Sequence, residues 1–361
     1  MSAAPTVVPG AADRVHPAAV AGAVPAGVPA GVPAAATRPA SRAPSRRTRA
    51  GGVVRRLGAR ALGAVGVLWG AATLTFLALV LIPGDIAYAI VGGPDANPSP
   101  EVLAQVRAEY GLDRPVAEQY GAYLLRLATG DLGTSYRFHA PVTQLIGEQV
   151  GPTVVLAASA AVVAVLGAVA VALATAGRRP AVRGPVSGIE LVLASLPSFW
   201  LGIVLLTVFS FTLGWFPAIG GEGWRGLVLP TLTLALPLGA VLAQVARSAV
   251  EEVLEEPFVV TARARGLSDA AVRVRHVLRH TLVPLTTMTG FVVGGLFGGA
   301  VITETLFNRA GLGRLLLSAV NAKDMPVVLG LVLLSAAVYV VINLVVDATY
   351  PLIDPRLRRT S

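Results

Sequence analysis

The sequence has no cysteine, a single lysine and few charged residues of either sign. Without cysteine, neither a disulfide framework nor a thiolate metal site can form. Charged residues make up 14% of the chain, whereas an ordinary soluble domain carries about 25%. Hydrophobic residues make up 54%, and the mean hydropathy is +0.70. This composition predicts a membrane protein.

The chain also lacks a nucleotide-binding motif and a convincing metal site. No stretch matches G-x-x-x-x-G-K-[ST], and the only lysine, Lys323, lies in an unrelated setting. If ATP drives this protein, its hydrolysis must occur on another polypeptide. His276 and His280 have the i, i+4 spacing of two metal ligands, but Arg275 and Arg279 crowd them. We therefore expect no catalytic residue, no metal and no cofactor on this chain.

Six apolar stretches are long enough to cross a bilayer, which takes about 20 residues per helix. They are residues 59–82, 153–176, 188–213, 227–246, 283–305 and 326–348. Prolines interrupt some of them, and a membrane helix tolerates proline where its neighbours satisfy the freed backbone groups. The sequence predicts an all-α polytopic membrane protein with six transmembrane helices.

The arginines predict the orientation of these helices, because cytoplasmic loops are enriched in Lys and Arg. Four arginine-rich segments precede helix one, join helices two and three, join helices four and five, and follow helix six. The loop 83–151 between helices one and two instead carries eight acidic residues against four arginines. We expect both termini to be cytoplasmic and 83–151 to be external. The net charge of +9 is thereby explained by membrane topology and not by nucleic acid.

The chain divides at about residue 52. Residues 1–52 are rich in Ala, Pro, Val and Gly and predict a disordered cytoplasmic arm. Its arginine cluster, 42–56, is explained as a topology signal or as a contact with anionic membrane lipid. Residues 53–361 form the predicted transmembrane domain.

The external loop 83–151 shows two helix patterns. Ser99 before Pro100 is a helix start with proline at the first position, and Gly111 suits the end of that helix. Residues 115–129 read as a second, amphipathic helix that ends at Gly130. We expect this loop to be folded.

The loop 247–282 contains a helix, a break and a second helix, within residues 258–284. Gly266 suits a left-handed helix end, Ser268 suits the cap of the next helix, and Asp269 lies in its first turn. Leu267 and Val272 have the spacing of a hydrophobic staple. Arg279 and His280 are expected near the end of the second helix. A well-defined helical knob between membrane spans favours docking to a soluble partner.

Several separated motifs resemble the permeases of ABC importers, in the dipeptide, oligopeptide and nickel branch. They cover residues 53–359 in the order expected for that family: Leu81–Asp85, Tyr110–Pro115, Gly130–Ser135, Leu196–Gly202, Thr261–Ser268, Arg275–Pro284, Gly311–Gly313 and Asp354–Arg356. The chain departs from the family pattern at His280, where Asn is usual, and at Val260, where the broader consensus has Glu. Arg309-Ala310 likewise replaces Trp-Pro.

The resemblance implies a type I ABC importer permease in a bacterial inner membrane. The expected partners are a homologous second permease, two ATPase subunits that hold ATP and Mg, and an extracytoplasmic substrate-binding protein. Peptides are the leading substrate class; nickel chelates, oligosaccharides and opines remain open. The residues expected to couple to the ATPases are Thr261, Ala262, Arg263, Ala264, Arg265, Gly266, Leu267, Ser268, Arg275, His276 and Arg279.

Small and polar residues of helices five and six are further candidates. Helix five has two small-residue frames that suit close helix packing, against this chain or a partner permease, or a path free of side chains: Gly290, Gly294 and Gly298, and Gly295 and Gly299. Glu304 is either a functional group or an interfacial, solvated one. Asn343 and Asp347 are expected to join helices.

Two other functional classes compete with an importer subunit. A secondary transporter or channel would act without ATPases, but it requires intramembrane charges or broken helices, and the centres of the predicted spans offer almost none. An intramembrane enzyme would require a nucleophile or metal set that the sequence does not supply.

Overall fold

A computed structural model describes residues 46–81, 84–91, 97–219 and 223–353. The chain divides into two compact units, Met1–Val54 and Arg55–Ser361, and the second contains the helical bundle. Apart from one isolated bridge between Thr134 and Pro141, the described residues form helices and turns. The helices are α1 Arg46–Leu81, α2 Ile86–Ile90, α3 Pro100–Glu109, α4 Val116–Ala128, α5 Val142–Thr175, α6 Pro180–Ser195, α7 Ser198–Leu205, α8 Arg225–Leu254, α9 Pro257–Ala264, α10 Asp269–Val272, α11 Leu278–Leu306, α12 Leu312–Asn321 and α13 Met325–Ile353.

Helix α1 begins at Arg46, inside the segment expected to be a disordered arm. The physical reason is proline, because Pro44 is the last proline before residue 83, and a helix interior does not tolerate that residue. Residues 1–45 of the arm lie outside the described residues, as do residues 354–361.

The helices of the loop 83–151 are capped as the sequence predicts. The Ser99 hydroxyl accepts a hydrogen bond from the Val102 amide at the start of α3, and Gly111 takes a left-handed conformation with φ +63° after its end. Helix α4 ends before Gly130, which has φ +79°. Both helices follow from local sequence signals.

Helix α5 begins eleven residues before the predicted span 153–176. Hydropathy misses this extension because its first turns carry Gln144, Glu148 and Gln149, which are polar. Residues 142–151, predicted as part of the external loop, therefore belong to a membrane helix of 34 residues.

The third predicted span, 188–213, is not one straight helix. Helices α6 and α7 meet at an angle of 107°, and π-helical turns extend α7 over Leu206–Thr212. Pro197 explains the corner, because proline lacks an amide donor and favours extended backbone in the preceding residue; Leu196 has ψ 133°. Helix α11 is bent less, by 49° between Leu296 and Gly298.

Long-range contacts show that both bent elements cross the bundle completely. Thr153 lies in the first half of α5, about three turns after its start, and Ala176 directly follows its last residue. We call the two ends of the bundle the Thr153 end and the Ala176 end. Helix α11 runs from one to the other: Arg273, just before it, donates to the Ala176 carbonyl, and Glu304 accepts from the Thr153 hydroxyl.

Helices α6 and α7 cross in the same sense. Arg183 of α6 pairs with Glu251 at the Ala176 end of α8, whereas Trp215, just after α7, accepts from Arg225 at the other end of α8. With the four straight spans α1, α5, α8 and α13, these two make six crossings. The predicted number of membrane helices is confirmed.

The core of the bundle consists of small residues on α5 and α8. Buried alanines repeat at i+3 or i+4 along α5, at positions 157, 160, 164, 168 and 172. A Cβ atom on Gly239 of α8 would lie 3.3 Å from the Ala164 carbonyl oxygen, so the two backbones approach closely. In a membrane, such close approach supplies the packing that joins helices.

Candidate coupling site

The loop 247–282 forms a compact knob at the Ala176 end of the bundle. Helix α9 ends at Ala264, and Gly266 takes a left-handed conformation with φ +82°. The Ser268 hydroxyl then accepts a hydrogen bond of 3.3 Å from the Ala271 amide, which caps α10. The predicted helix, break and capped helix are all confirmed.

The knob has its own apolar core. Val259 of α9, Val272 of α10 and Val277 are completely buried, and they pack on Val250 of α8 and on Ala176. Leu267 packs against the same cluster. Burial of a valine is worth about 1.5–3 kcal/mol, so this core holds α9 and α10 against the ends of α5 and α8.

Asp269 is the centre of an ionic network that fixes the turn. Its two carboxylate oxygens accept hydrogen bonds from Arg263, at 2.9 Å, and from Arg273, at 2.8 Å. The hydrogen bond from Arg273 is the main cause that lowers the pKa of Asp269 below its ordinary value. A depressed carboxyl pKa stabilises the fold above the unfolded pKa, and the gain is lost only as the pH falls through the folded pKa. The network is therefore intact at neutral pH.

Arg273 also ties the knob to α5. Its side chain is 7% exposed, and it donates to the carbonyls of Leu173, at 3.0 Å, and Ala176, at 2.7 Å. These carbonyls belong to the last turn of α5, where an arginine satisfies acceptors that the helix leaves open.

The second helix of the knob does not end near Arg279 and His280, as the sequence led us to expect. The chain continues from α10 through π-helical turns, Arg273–Val277, directly into α11. The sequence has neither glycine nor proline between Gly266 and Pro284, so nothing interrupts the helix. His280 packs on Phe258 of α9 instead, with ring centroids 5.0 Å apart.

The residues expected to couple to a partner differ in exposure. Ala262 is buried in the core of the knob, while Leu267 and His276 are half-buried. The remaining predicted residues are exposed: Thr261, Arg263, Ala264, Arg265, Gly266, Ser268, Arg275 and Arg279. Two exposed valines stand among them, Val260 at 65% and Val274 at 57% exposure. The knob thus presents arginines beside apolar side chains, a composition found in protein interfaces.

A buried ion pair that sequence reasoning missed lies beside the knob. Arg247 of α8 and Glu190 of α6 form two hydrogen bonds, of 2.5 and 2.9 Å, and each side chain is 6% exposed. Glu190 is the third residue of the predicted span 188–213, and Arg247 lies just past the predicted span 227–246. The pair therefore lies at the edge of these spans and leaves the expectation about their centres unchanged. Its signal in the sequence is a lone carboxylate within the apolar run of residues 186–196.

The glycines of α11 fall into two groups. A Cβ atom on Gly290 would lie 2.3 Å from Val346 of α13, one on Gly294 2.9 Å from the Tyr339 ring, and one on Gly299 2.8 Å from Leu234. These three glycines serve packing within the chain. Gly295 and Gly298 have no such neighbour within 4 Å and lie exposed.

Glu304 is completely buried, so an interfacial, solvated role for it is wrong. Its carboxylate accepts hydrogen bonds from the Thr153 hydroxyl at 2.6 Å, the Gly313 amide at 2.8 Å and the Arg314 amide at 3.2 Å. The Thr153 hydroxyl accepts in turn from the Leu312 amide at 2.8 Å. Glu304 and Thr153 together satisfy the free amides at the start of α12.

The two polar residues of α13 join different partners. Asp347 forms a salt bridge of 3.0 Å with Arg60 of α1, which is the inter-helix role that the sequence suggests. Asn343 donates to the Tyr339 carbonyl in its own helix and so joins no second helix through this bond.

Comparisons with known proteins identify the family of this chain. Residues 164–359 match the family "Binding-protein-dependent transport system inner membrane component", and residues 53–157 match the N-terminal domain of such membrane components. The glutathione transport system permease protein GsiC of Salmonella paratyphi A is 38% identical over 302 residues, which cover 83% of this chain and 97% of the relative.

GsiC of Escherichia coli K12 is 37% identical over 314 residues, which cover 85% of this chain and 98% of that protein. Among solved structures, an inward-facing conformation of the MetNI methionine ABC transporter is similar to this chain, and the match covers 59% of this chain and 97% of the solved chain. Its sequence identity is 17% and its TM-score is 0.48.

Proposed function

Because this chain belongs to the family of inner membrane components of binding-protein-dependent transport systems and is a permease subunit of an ABC importer, we propose that it forms a translocation path together with a second permease. Two ATPase subunits bind at the Ala176 end of the bundle, and an extracytoplasmic binding protein delivers substrate at the Thr153 end. ATP and Mg are held by the ATPases. Both termini of this chain are cytoplasmic in this arrangement.

The names of these relatives support a peptide as the substrate of this chain. Two proteins that are 37–38% identical to this chain are named for glutathione transport, and glutathione is a tripeptide. Uptake of small peptides by vesicles that contain the assembled complex, in competition with glutathione, tests this assignment. Failure of every small peptide to compete contradicts it.

The knob around Gly266 is the coupling element, and its rigidity carries this proposal. It has its own buried core, the Asp269 network fixes its turn, and its second helix continues into α11 without interruption. A displacement of the exposed tip is therefore transmitted to a membrane helix instead of being absorbed by a loose loop. Alternating access follows if ATP-driven closure of the ATPases moves the two knobs of a permease pair.

Gly295 and Gly298 are proposed to face the second permease or the path. Both lie exposed on α11 with open space at the Cβ position, whereas Gly290, Gly294 and Gly299 are occupied by contacts within the chain. Small residues suit a surface at which a second helix or a moving substrate comes close.

An importer without ATPases has less support. Such a transporter requires an ion-coupling site, built from available charged groups or at a broken helix. The chain does have helix breaks, at Pro197 and between Leu296 and Gly298, but its buried carboxylates are not available. Both carboxylate oxygens of Glu190 are engaged by Arg247, and Glu304 is engaged by Thr153 and two amides. These buried carboxylates hold helices together.

Cross-linking tests the proposed docking directly, because the chain has no cysteine of its own. A cysteine in place of the exposed Arg265 is expected to form cross-links with co-assembled ATPase subunits. The matched control is Ser99→Cys, just before α3 at the other end of the bundle, which is expected to form none. Equal yields from the two positions contradict the proposal.

A further inference from the structure

A cavity of about 280 Å³ lies beside α4, outside the knob and the glycine frames. Its walls come from α1, the turn between α3 and α4, α4 itself, the loop between α4 and α5, and the first turns of α13. We call it the α4 cavity. Sites for drug-sized ligands measure about 300–1,000 Å³, so the α4 cavity suits a smaller molecule.

The floor of the α4 cavity is apolar and aromatic. Phe76, Tyr123, Met325 and Leu329 line it, and each of them is between 4% and 7% exposed. The rings of Phe76 and Tyr123 stack, with centroids 5.7 Å apart. Such a floor accommodates an apolar or aromatic group of a ligand.

The rim of the α4 cavity carries charges of both signs. Glu109, Arg114 and Arg126 line the cavity and are exposed. Within the described residues, none of these three side chains forms an ion pair or a hydrogen bond with another residue. Two cations and one anion on the same rim suit a ligand that carries both an anionic group and an ammonium group, whereas Glu109 repels a purely anionic ligand.

Two tyrosines add hydrogen-bond donors to the α4 cavity. Burial raises the pKa of Tyr123 to about 12 and that of Tyr136, which also lines the cavity, to about 12. Both hydroxyls therefore stay protonated at neutral pH. The Tyr123 hydroxyl is buried and has no hydrogen-bond partner among the described residues. Because an unpaired buried donor is unfavourable, an acceptor group of a ligand is stabilised beside it.

The turn between α3 and α4 is held in place where it borders the cavity. The Gln119 side chain donates to the carbonyl of Leu112 at 3.4 Å and to that of Arg114 at 2.9 Å. Tyr110, from this turn, and Tyr136, from the loop after α4, meet edge to face with ring centroids 4.9 Å apart. The rim and the aromatic walls thus have a fixed relationship.

A buried carboxylate joins the loop after α4 to the start of α13. Asp324 is completely buried, and it accepts hydrogen bonds from the Ser135 hydroxyl at 2.5 Å and the Tyr136 amide at 3.2 Å. It directly precedes Met325, which lies in the floor of the cavity. The α4 cavity is therefore formed before a ligand enters, which lowers the entropic cost of binding.

We propose that the α4 cavity is a binding site for a small zwitterion with an apolar side chain, of the size of a free amino acid. Arg114 and Arg126 receive its carboxylate, and Glu109 receives its ammonium group. Its side chain packs on Phe76 and Leu329. The bound molecule contacts both α4 and α13, so it joins the loop 83–151 to a membrane helix. This inference goes beyond the proposed function and does not rest on it, because binding at this site needs neither an ATPase nor a binding protein.

The test measures the affinity of phenylalanine for the purified assembled complex, without ATP or a binding protein, by isothermal titration calorimetry. Glu109→Gln is expected to weaken binding of phenylalanine about tenfold and to leave binding of N-acetylphenylalanine unchanged, because that probe has no ammonium group. Arg126→Gln is expected to weaken binding of phenylalanine about tenfold and to leave binding of phenylalaninamide unchanged, because that probe has no carboxylate. Tyr123→Phe, which removes only the hydroxyl, should weaken binding of phenylalanine about fivefold.

The matched control is Glu118→Gln, which makes the same change as Glu109→Gln at an exposed position of α4 outside the cavity. It should leave the affinity for every probe unchanged. Equal weakening by the two substitutions places the binding site elsewhere and overturns the proposal. Equal weakening of phenylalanine and N-acetylphenylalanine by Glu109→Gln does the same, because it reports a distorted fold and not a lost contact with the ammonium group.

The wild-type complex alone also decides the matter. If it binds no phenylalanine up to the solubility limit of that probe, the α4 cavity holds only water, and the proposal is overturned. That result leaves the proposed function intact, because peptide uptake and ATPase cross-linking test it independently. Conversely, a complex that binds phenylalanine in the α4 cavity but transports no peptide supports this inference and contradicts the proposed substrate.

Discussion

The carboxyl group of Glu304 occupies the space that a side chain at Gly311 would fill. A Cβ atom on Gly311 would lie 2.2 Å from the carboxyl carbon of Glu304. The same carboxylate accepts from two amides in the first turn of α12, so it replaces a conventional capping side chain. The glycine at 311 is thus required by a buried acid seven residues earlier in the sequence.

Gly311→Ala is expected to destabilise the protein by about 1–3 kcal/mol, because the added methyl group displaces Glu304 and leaves buried amides without an acceptor. The measurement is the thermal unfolding midpoint of the purified complex. Gly121→Ala on α4 is the control, since it adds the same methyl group to open space on an exposed helix face. In a Glu304→Ala background the cost of Gly311→Ala should shrink. Strictly additive effects of the two substitutions contradict the direct contact.

Substitutions of Gly266 separate backbone strain from side-chain chemistry at the tip of the knob. A Cβ atom there meets nothing within 4 Å, but φ is +82°, which a β-branched residue adopts only with strain of about 1–3 kcal/mol. Gly266→Val is expected to preserve membrane insertion while it abolishes most substrate-stimulated ATPase activity of the assembled complex. Gly266→Asn, a residue that tolerates this conformation, should retain most of that activity. Equal stimulation of the ATPase activity in wild type and Gly266→Val, at equal subunit stoichiometry, would contradict the coupling role.

Local signals predicted the knob and the helices α3 and α4. Ser99, Ser268 and Gly266 act on residues within four positions of themselves, so their effect can be read from a short stretch of sequence. The predicted helix end near His280 was wrong because no such local stop signal is present there. It rested on two cations, and no glycine or proline was present to stop the helix.

Contacts between distant residues could not be predicted. Glu190 and Arg247 are 57 positions apart, and Ser135 and Asp324 are 189 apart. Such pairs depend on which helices become neighbours, which hydropathy does not encode. The corner at Pro197 was missed because an apolar window looks the same whether the helix is straight or bent.

The pair Glu190–Arg247 is expected to behave as a buried unit. Glu190→Leu leaves Arg247 buried without its carboxylate, and such a loss costs about 3–5 kcal/mol. Arg247→Met should cost a similar amount, whereas the double variant should recover most of the stability, because no buried charge remains. The control is Arg183→Ala, which breaks the partly exposed pair with Glu251 and should cost about 0–1 kcal/mol. A double variant as unstable as the sum of the two single variants contradicts this interpretation.

Two adjacent glycines of α11 should respond oppositely to the same change. Gly294→Ala places a methyl group 2.9 Å from the Tyr339 ring and should separate α11 from α13, with a loss of about 1–3 kcal/mol. Gly295→Leu projects into open space and should leave the unfolding midpoint of the isolated chain unchanged. In the assembled complex, however, it should reduce pairing with the second permease or peptide uptake by at least about tenfold. Full assembly and uptake in Gly295→Leu would show that this face contacts only lipid.

The unbroken connection from the knob into α11 has a mechanical consequence. From Asp269 to Leu296 the chain stays helical, with π-helical turns over Arg273–Val277 and with Pro284 inside the helix. At a rise of about 1.5 Å per residue this segment is about 42 Å long. If a helix of this length tilts by about 10° about its far end, its near end is displaced by about 7 Å. A small rotation of one helix therefore suffices to carry the tip of the knob by more than the width of a side chain.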